Sequence, residues 1–158
     1  RAVSSSFRKP FMSVDSQFGR LISELGQLLG IPALAPSEEG ICQLVFDGRH
    51  VVQVLHMRRG DQVLLSCRLA EHAIDPAQAE RMARANFLQA GHGVVLCVAP
   101  DGRPHMQVAC PLAECSGAAL CPMLEGLLDQ ADSWGHGMTR GHGSTGGPPD
   151  PAMLLQSV

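Results

Sequence analysis

The side chains best suited to chemistry are six cysteines and seven histidines. Cys110, Cys115 and Cys121 form the densest thiol group, with spacings of four and five intervening residues. Structural zinc sites place cysteines two to four residues apart in paired sets, and this cluster does not follow that pattern. With no metal spacing, the thiols read as small apolar groups that pack in the interior. His50, His56, His72, His92 and His105 are scattered over turns and strands, with no local signature pairing any of them with a nucleophilic cysteine. His136 and His142, in GHGMTRGHG, could hold a metal weakly, but their Gly-rich setting reads as a solvated linker. Asp47, Asp61 and Asp101 fall where the chain must turn, which favours turn formation over acid–base work. No phosphate-binding loop, GxSxG, HExxH or CxxC is present. We therefore expect no enzyme, no metal and no cofactor.

The elements that carry these residues follow from periodicity. Phe18, Leu21, Ile22, Leu25, Leu28 and Leu29 make a one-sided helical stripe, with Asp15 as the expected N-cap and Gly30 before Pro32 as the stop. Cys42, Leu44 and Phe46 then alternate with Gln43, Val45 and Asp47, and Asp47-Gly48 is a hairpin signal. Val51 to Met57 and Val63 to Leu69 give two more strands around an Arg59-Gly60-Asp61 turn. Asp75-Pro76-Ala77-Gln78 can open a helix with a capping box, and that helix runs to about Ala90. A second hairpin, Val94 to Val98 and His105 to Cys110, turns at Asp101-Gly102. Leu120, Met123, Leu124, Leu127, Leu128, Ala131 and Trp134 mark a last helix.

The order helix, three strands, helix, two strands, helix predicts an α+β domain with an antiparallel sheet and helices packed on it. We place a flexible arm at 1–13, the domain at 14–134 and a disordered Gly/His/Pro-rich tail at 135–158. A chain of 158 residues suits one such domain. A net charge of −3 gives no basic face for nucleic acid. No apolar run reaches the length of a membrane span, and the opening residues lack the apolar segment of a secretory signal. The expected compartment is the cytoplasm, with all six cysteines as free thiols. Strands such as VVQVL are apolar on both faces, a surplus that a small domain usually gives to a partner.

Several strings, in this order and spacing, resemble the Tir-chaperone (CesT-like) family, the class I chaperones of bacterial type III secretion. FGRLISELGQLLGIPAL is similar to the family's first helix and GICQLVFDG to its first strand and turn. MARANF, with Asn86 retained, resembles the end of its middle helix, and LLDQADSW its closing helix. The resemblance implies a non-enzymatic cytoplasmic homodimer. It would bind the N-terminal region of a secreted effector in extended form, keep it competent for secretion and help deliver it to the secretion ATPase. The expected cargo surface is Phe18, Leu21, Ile22, Leu25 and Leu28 on the first helix, with Val45, Val52 and Val54 on the strands. The expected dimer interface is the middle helix, through Ala79, Met82, Ala83, Ala85, Asn86, Phe87 and Leu88, whose small residues permit close approach. The chain is only mildly acidic and extends about 24 residues past the last helix, which departs from the family's habit. The competing reading is a small α+β interaction or sensor module that binds a folded partner or ligand.

Overall fold

The computed structural model describes residues 1–5, 16–88 and 93–139. Within them the chain runs β1 (Val3–Ser5), α1 (Gln17–Leu29), β2 (Ile41–Phe46), β3 (His50–Met57), β4 (Gln62–Arg68), α2 (Pro76–Leu88), β5 (Val94–Val98), β6 (Pro104–Pro111), a short 3-10 turn (Leu112–Glu114) and α3 (Gly117–Thr139). Six strands form one antiparallel sheet in the order β1-β2-β3-β4-β6-β5. The α+β class and the three-helix, antiparallel-sheet architecture are as the sequence predicts.

Local signals account for the element ends. Gly19 N–H donates to the Ser16 hydroxyl at 3.0 Å, so Ser16 caps α1 in place of the expected Asp15, which lies outside the described residues. Gly30 closes α1 at φ 72°, a conformation glycine adopts without strain. Asp47 and Gly48 both have positive φ, 52° and 66°, as a tight hairpin turn needs. The capping box of α2 forms in full: Gln78 N–H donates to Asp75 Oδ1 at 2.8 Å, and Asp75 N–H to Gln78 Oε1 at 3.1 Å.

The core lies on one face of the sheet. Leu44 and Phe46, Val52 and Val54, Val63 and Leu65, and Met106 point to that side and meet Ile22 and Leu25 of α1 and Leu120, Leu124, Leu127 and Leu128 of α3. Helices α1 and α3 pack on each other there, and Gly117 of α3 lies directly against α1. A Cβ on Gly117 would sit 2.9 Å from Glu24 Cβ and 3.0 Å from the Glu24 carbonyl carbon, and Gly117 N–H donates to the Glu24 carboxylate at 3.2 Å. Helix α2 stands apart, against β5 at the edge of the sheet.

Three expectations change. Residues 1–13 were expected to be loose, yet Val3–Ser5 pairs with β2, because an outer strand offers unpaired backbone groups. Helix α3 passes Trp134 and ends at Thr139, so the boundary placed at 135 falls inside a helix; 140–158 lie outside the described residues. Cys110 and Cys115 are joined by a disulfide and are not free thiols. The end of β6 and the following 3-10 turn bring their Cα atoms to 6.8 Å, an approach that a spacing in sequence does not reveal.

Candidate interaction surfaces

The sheet has a second face, which carries no core. Cross-strand register sets its rows. Ile41 lies opposite Leu55, Leu55 opposite Leu64 and Leu64 opposite Ala109; Val45 lies opposite Val51. Ile41, Val45, Val51, Leu55 and Leu64 are each half-buried. Between these apolar rows runs a polar one, Gln43–Gln53–Ser66–Gln107. Its members hold each other: Gln53 Nε2 donates to Gln43 Oε1 at 3.4 Å and Gln107 Nε2 to Ser66 Oγ at 3.2 Å. Ser66 Oγ also lies 3.1 Å from His105 Nδ1. Burial pushes the His105 pKa down, against the pull of Asp101. Ser66 thus accepts from Gln107 and shares a second hydrogen bond with His105. A cavity of about 340 Å³ opens among Gln43, Gln53, Ser66, Arg68, Asp101 and His105. The face alternates apolar and amide rows, which suits the side chains and backbone of an extended polypeptide.

Exposed large apolar side chains mark further surface. Phe87 at the end of α2 is 83% exposed, and Val95 and Val98 on β5 are half exposed. Asn86 ties these two elements together. Its Nδ2 donates to the Leu96 carbonyl at 2.7 Å and its Oδ1 accepts the Leu96 N–H at 2.7 Å. On α1, Leu28 is 57% exposed and faces away from the core.

The expected cargo residues divide by burial. Phe18, Leu21, Ile22, Leu25, Val52 and Val54 lie in the core, each at most 3% exposed. Phe18 also stacks on His56, with ring centroids 5.2 Å apart. Leu28 and Val45 remain accessible. On the strands parity explains the division: in VVQVL both sets of alternate residues are apolar, and the register turns Val52 and Val54 to the helices and Val51 and Leu55 to the open face. On α1 the apolar stripe itself faces the core and leaves only Leu28 of the expected residues outside. Ile41, Val51, Leu55 and Leu64, which the sequence reading did not single out, are the half-buried apolar residues of the open face. Of the expected dimer residues, Ala83 and Phe87 are exposed, Ala79, Ala85 and Asn86 are half-buried and Met82 is in the core. Leu88 ends α2.

Charge concentrates where the β2–β3 turn meets α3. Asp132 receives His50 Nε2 at 2.7 Å, Arg49 Nη2 at 2.9 Å and Arg1 Nη1 at 3.5 Å. Partial burial raises its pKa, but the His50 hydrogen bond and the charges of His50, Arg49 and Arg1 outweigh that and hold the carboxyl below its ordinary value. A cavity of about 440 Å³ adjoins it, lined by Arg49, His50, Arg68, Leu69, His72 and Ala131. Among the described residues no group of three His, Cys, Asp or Glu side chains is placed to hold a metal. Burial pushes the thiols of Cys42 and Cys67 up to about 12, far from a nucleophile's range. No helix among the described residues is long and apolar enough to cross a membrane.

A single sheet with helices on one face, an open patterned face on the other and a helix clasping one edge defines a small α+β domain built around surfaces. The chain belongs to the Tir chaperone protein (CesT) family, whose model matches residues 20–135. Among curated proteins, no sequence relative matches the chain. Solved structures share the fold. One, described as the ExsC-ExsE complex, is 22% identical with a TM-score of 0.70, covering 79% of this chain and 96% of that one. The HopA1-SchA chaperone-effector complex is similar at 20% identity and a TM-score of 0.65, covering 76% and 94%. The Yersinia pestis type III secretion chaperone SycH, in complex with a stable fragment of YscM2, is similar at 19% identity and a TM-score of 0.60, covering 73% and 98%.

Proposed function

We propose that this protein is a type III secretion chaperone that binds an extended segment from the N-terminal region of a secreted effector. Membership of the Tir chaperone family over residues 20–135 carries the reading. Two similar structures, one named a chaperone-effector complex and the other a type III secretion chaperone in complex with a protein fragment, support it. So does the open sheet face, whose apolar rows at Ile41–Leu55–Leu64 and Val45–Val51 supply pockets, with Leu28 on α1 as further apolar surface. The protein acts by binding and not by catalysis, and it works in the bacterial cytoplasm. Ordering an extended cargo costs several kcal/mol, which only a large wrapped surface offsets. A homodimer doubles that surface. The α2–β5 side, with Phe87, Val95 and Val98 exposed, is the surface for the second copy. Delivery to the secretion ATPase is the expected end of the pathway.

The test uses capture from a type III-secreting host followed by identification and quantitative binding of the captured effector's first hundred or so residues. Val51→Asp places a charge in the open face and should weaken capture tenfold or more, with circular dichroism and dimer mass retained. Phe87→Asp should shift the light-scattering mass from twice 16.8 kDa towards 16.8 kDa. Wild-type affinity in a folded Val51→Asp dimer would place cargo elsewhere. Preference for a folded effector domain over its extended segment would replace the chaperone reading with that of a folded-partner module.

A further inference from the structure

The two edges of the sheet are closed in different ways. At β5 the closure is a side chain: Asn86 takes both outward backbone groups of Leu96 at 2.7 Å, and α2 lies alongside. No strand can pair at Leu96 without breaking that clasp. At β2 the closure is a strand. Val3, Ser4 and Ser5 lie opposite Phe46, Val45 and Leu44. The pairing continues into the turn, where Asp47 N–H donates to the Ala2 carbonyl at 2.7 Å and Ala2 N–H donates to Asp47 Oδ1 at 3.0 Å.

This strand is held lightly. Among the described residues it pairs three residues against the six of β2. Of its described residues Val3 alone is apolar, and it is half-buried, while Ser4 is exposed. Ahead of it, the Arg1 guanidinium reaches Asp129 at 2.5 Å and both Asp47 and Asp132 at 3.5 Å. Asp129 is 73% exposed, so water and salt weaken its contact. At the other end of β2 a loop takes over: Ser37 N–H donates to the Ile41 carbonyl at 2.8 Å, and Ile41 N–H to Ser37 Oγ at 3.3 Å. The stretch between is thus a strand-receptive edge whose occupant is a short piece of the chain itself. Backbone pairing does not depend on whose backbone it is.

The structure assigns β1 the role of a resident strand: it fills the β2 edge that an extended partner segment takes, and binding in trans displaces it. The fitting partner is an extended segment running antiparallel to β2. It carries an apolar residue where Val3 sits, small residues after it, and a basic residue two positions before, facing Asp47, Asp129 and Asp132. The inference rests on the proposed chaperone function for the identity of that partner, but not for the existence of the edge. The resident strand competes with the advantage of a short tether, so an incoming segment must exceed the effective concentration of β1 to win.

The probe is a fluorescent synthetic peptide of residues 1–9, added to the full chain. Ser4→Pro removes the donor opposite Val45 and detaches β1. This variant should bind the peptide at least tenfold more tightly than the wild type, and peptide should slow hydrogen exchange at Val45 and Asp47. The second variant, Ser4→Cys with Val45→Cys, ties β1 to β2. Oxidised, it should bind at least tenfold more weakly than when reduced, with the wild type under the same two conditions correcting for Cys110–Cys115. Equal binding in the oxidised and reduced forms, or peptide protection at β5 in place of β2, overturns the proposal. The captured effector separates the two readings. If its segment binds the tied and untied forms alike, the chaperone function stands and the resident strand falls. If the peptide behaves as expected but no effector segment binds, the edge stands and the chaperone function falls.

Discussion

Asn86 treats the backbone of Leu96 as an adjoining strand would, giving one hydrogen bond and taking one, each at 2.7 Å. This reciprocal pair fixes α2 to the outside of β5 and blocks strand pairing at Leu96 in the middle of that edge. Asn86→Ala should therefore destabilise the protein by about 1–3 kcal/mol, because the largely buried Leu96 backbone loses both partners. Asn86→Asp keeps the acceptor but turns a carboxylate towards the Leu96 carbonyl, and should cost at least as much. Urea unfolding measures both. A change below about 0.5 kcal/mol for both variants would show that the clasp contributes little.

Gly117 marks where α3 crosses α1. The missing Cβ would meet Glu24 Cβ at 2.9 Å and the Leu25 amide nitrogen at 3.0 Å, and main chain cannot swing aside as a flexible side chain does. Gly117→Ala should cost about 1–3 kcal/mol by forcing the helices apart, despite alanine's better helix propensity. Thermal unfolding should show a lower midpoint, whereas an unchanged or raised one would mean that the crossing has slack.

The thiols should sort into three groups. Unfolded without reductant, the protein should show four reactive thiols, Cys42, Cys67, Cys97 and Cys121, with Cys110 and Cys115 bridged. After reduction it should show six. In the folded protein at pH 8, Cys42 and Cys67 should be the slowest to alkylate, since burial holds both near 12. The same shift has a pH consequence. These thiols ionise near their ordinary 9.0 only when unfolded, so stability should fall as pH rises from about 9 towards 12. Six thiols before reduction would rule out the bridge.

Asp132 gathers His50, Arg49 and Arg1 around one carboxylate. Its pKa is lower in the folded state than its ordinary 3.8, so its contribution is present above about pH 4 and is lost as pH falls through the folded value. Asp132→Asn should cost about 1 kcal/mol at neutral pH and low salt, as partly exposed ion pairs do. The gap from wild type should narrow with added salt and close in acid below pH 4. A gap that persists unchanged into acid would point to packing and not to charge.

Much of the architecture was legible because it depends on neighbours in sequence. The stripe from Phe18 to Leu29 can bury one face only as a helix, Asp47-Gly48 accepts positive φ, and Asp75 with Gln78 closes a capping box within one turn. The family strings around Asn86 and Trp134 are legible for the same reason. What the chain could not announce were relations between distant segments. Nothing in VVQVL says whether Val52 or Val51 meets the helices, since both parities are apolar and only the register with β2 and β4 decides. That choice turned Val52 and Val54 into the core and Val51 and Leu55 to the open face, whereas Phe18, Leu21, Ile22 and Leu25 are buried because α1 lays its apolar stripe on the core. The pairing of Val3–Ser5 with β2 joins residues some forty positions apart, and the hydrogen bonds it makes are backbone bonds that leave no mark on side-chain pattern. The Cys110–Cys115 bridge likewise depends on how a strand end folds into a 3-10 turn. Elements follow from local periodicity, whereas faces, edges and bridges follow from which elements meet, and the closure of the sheet and core settles that.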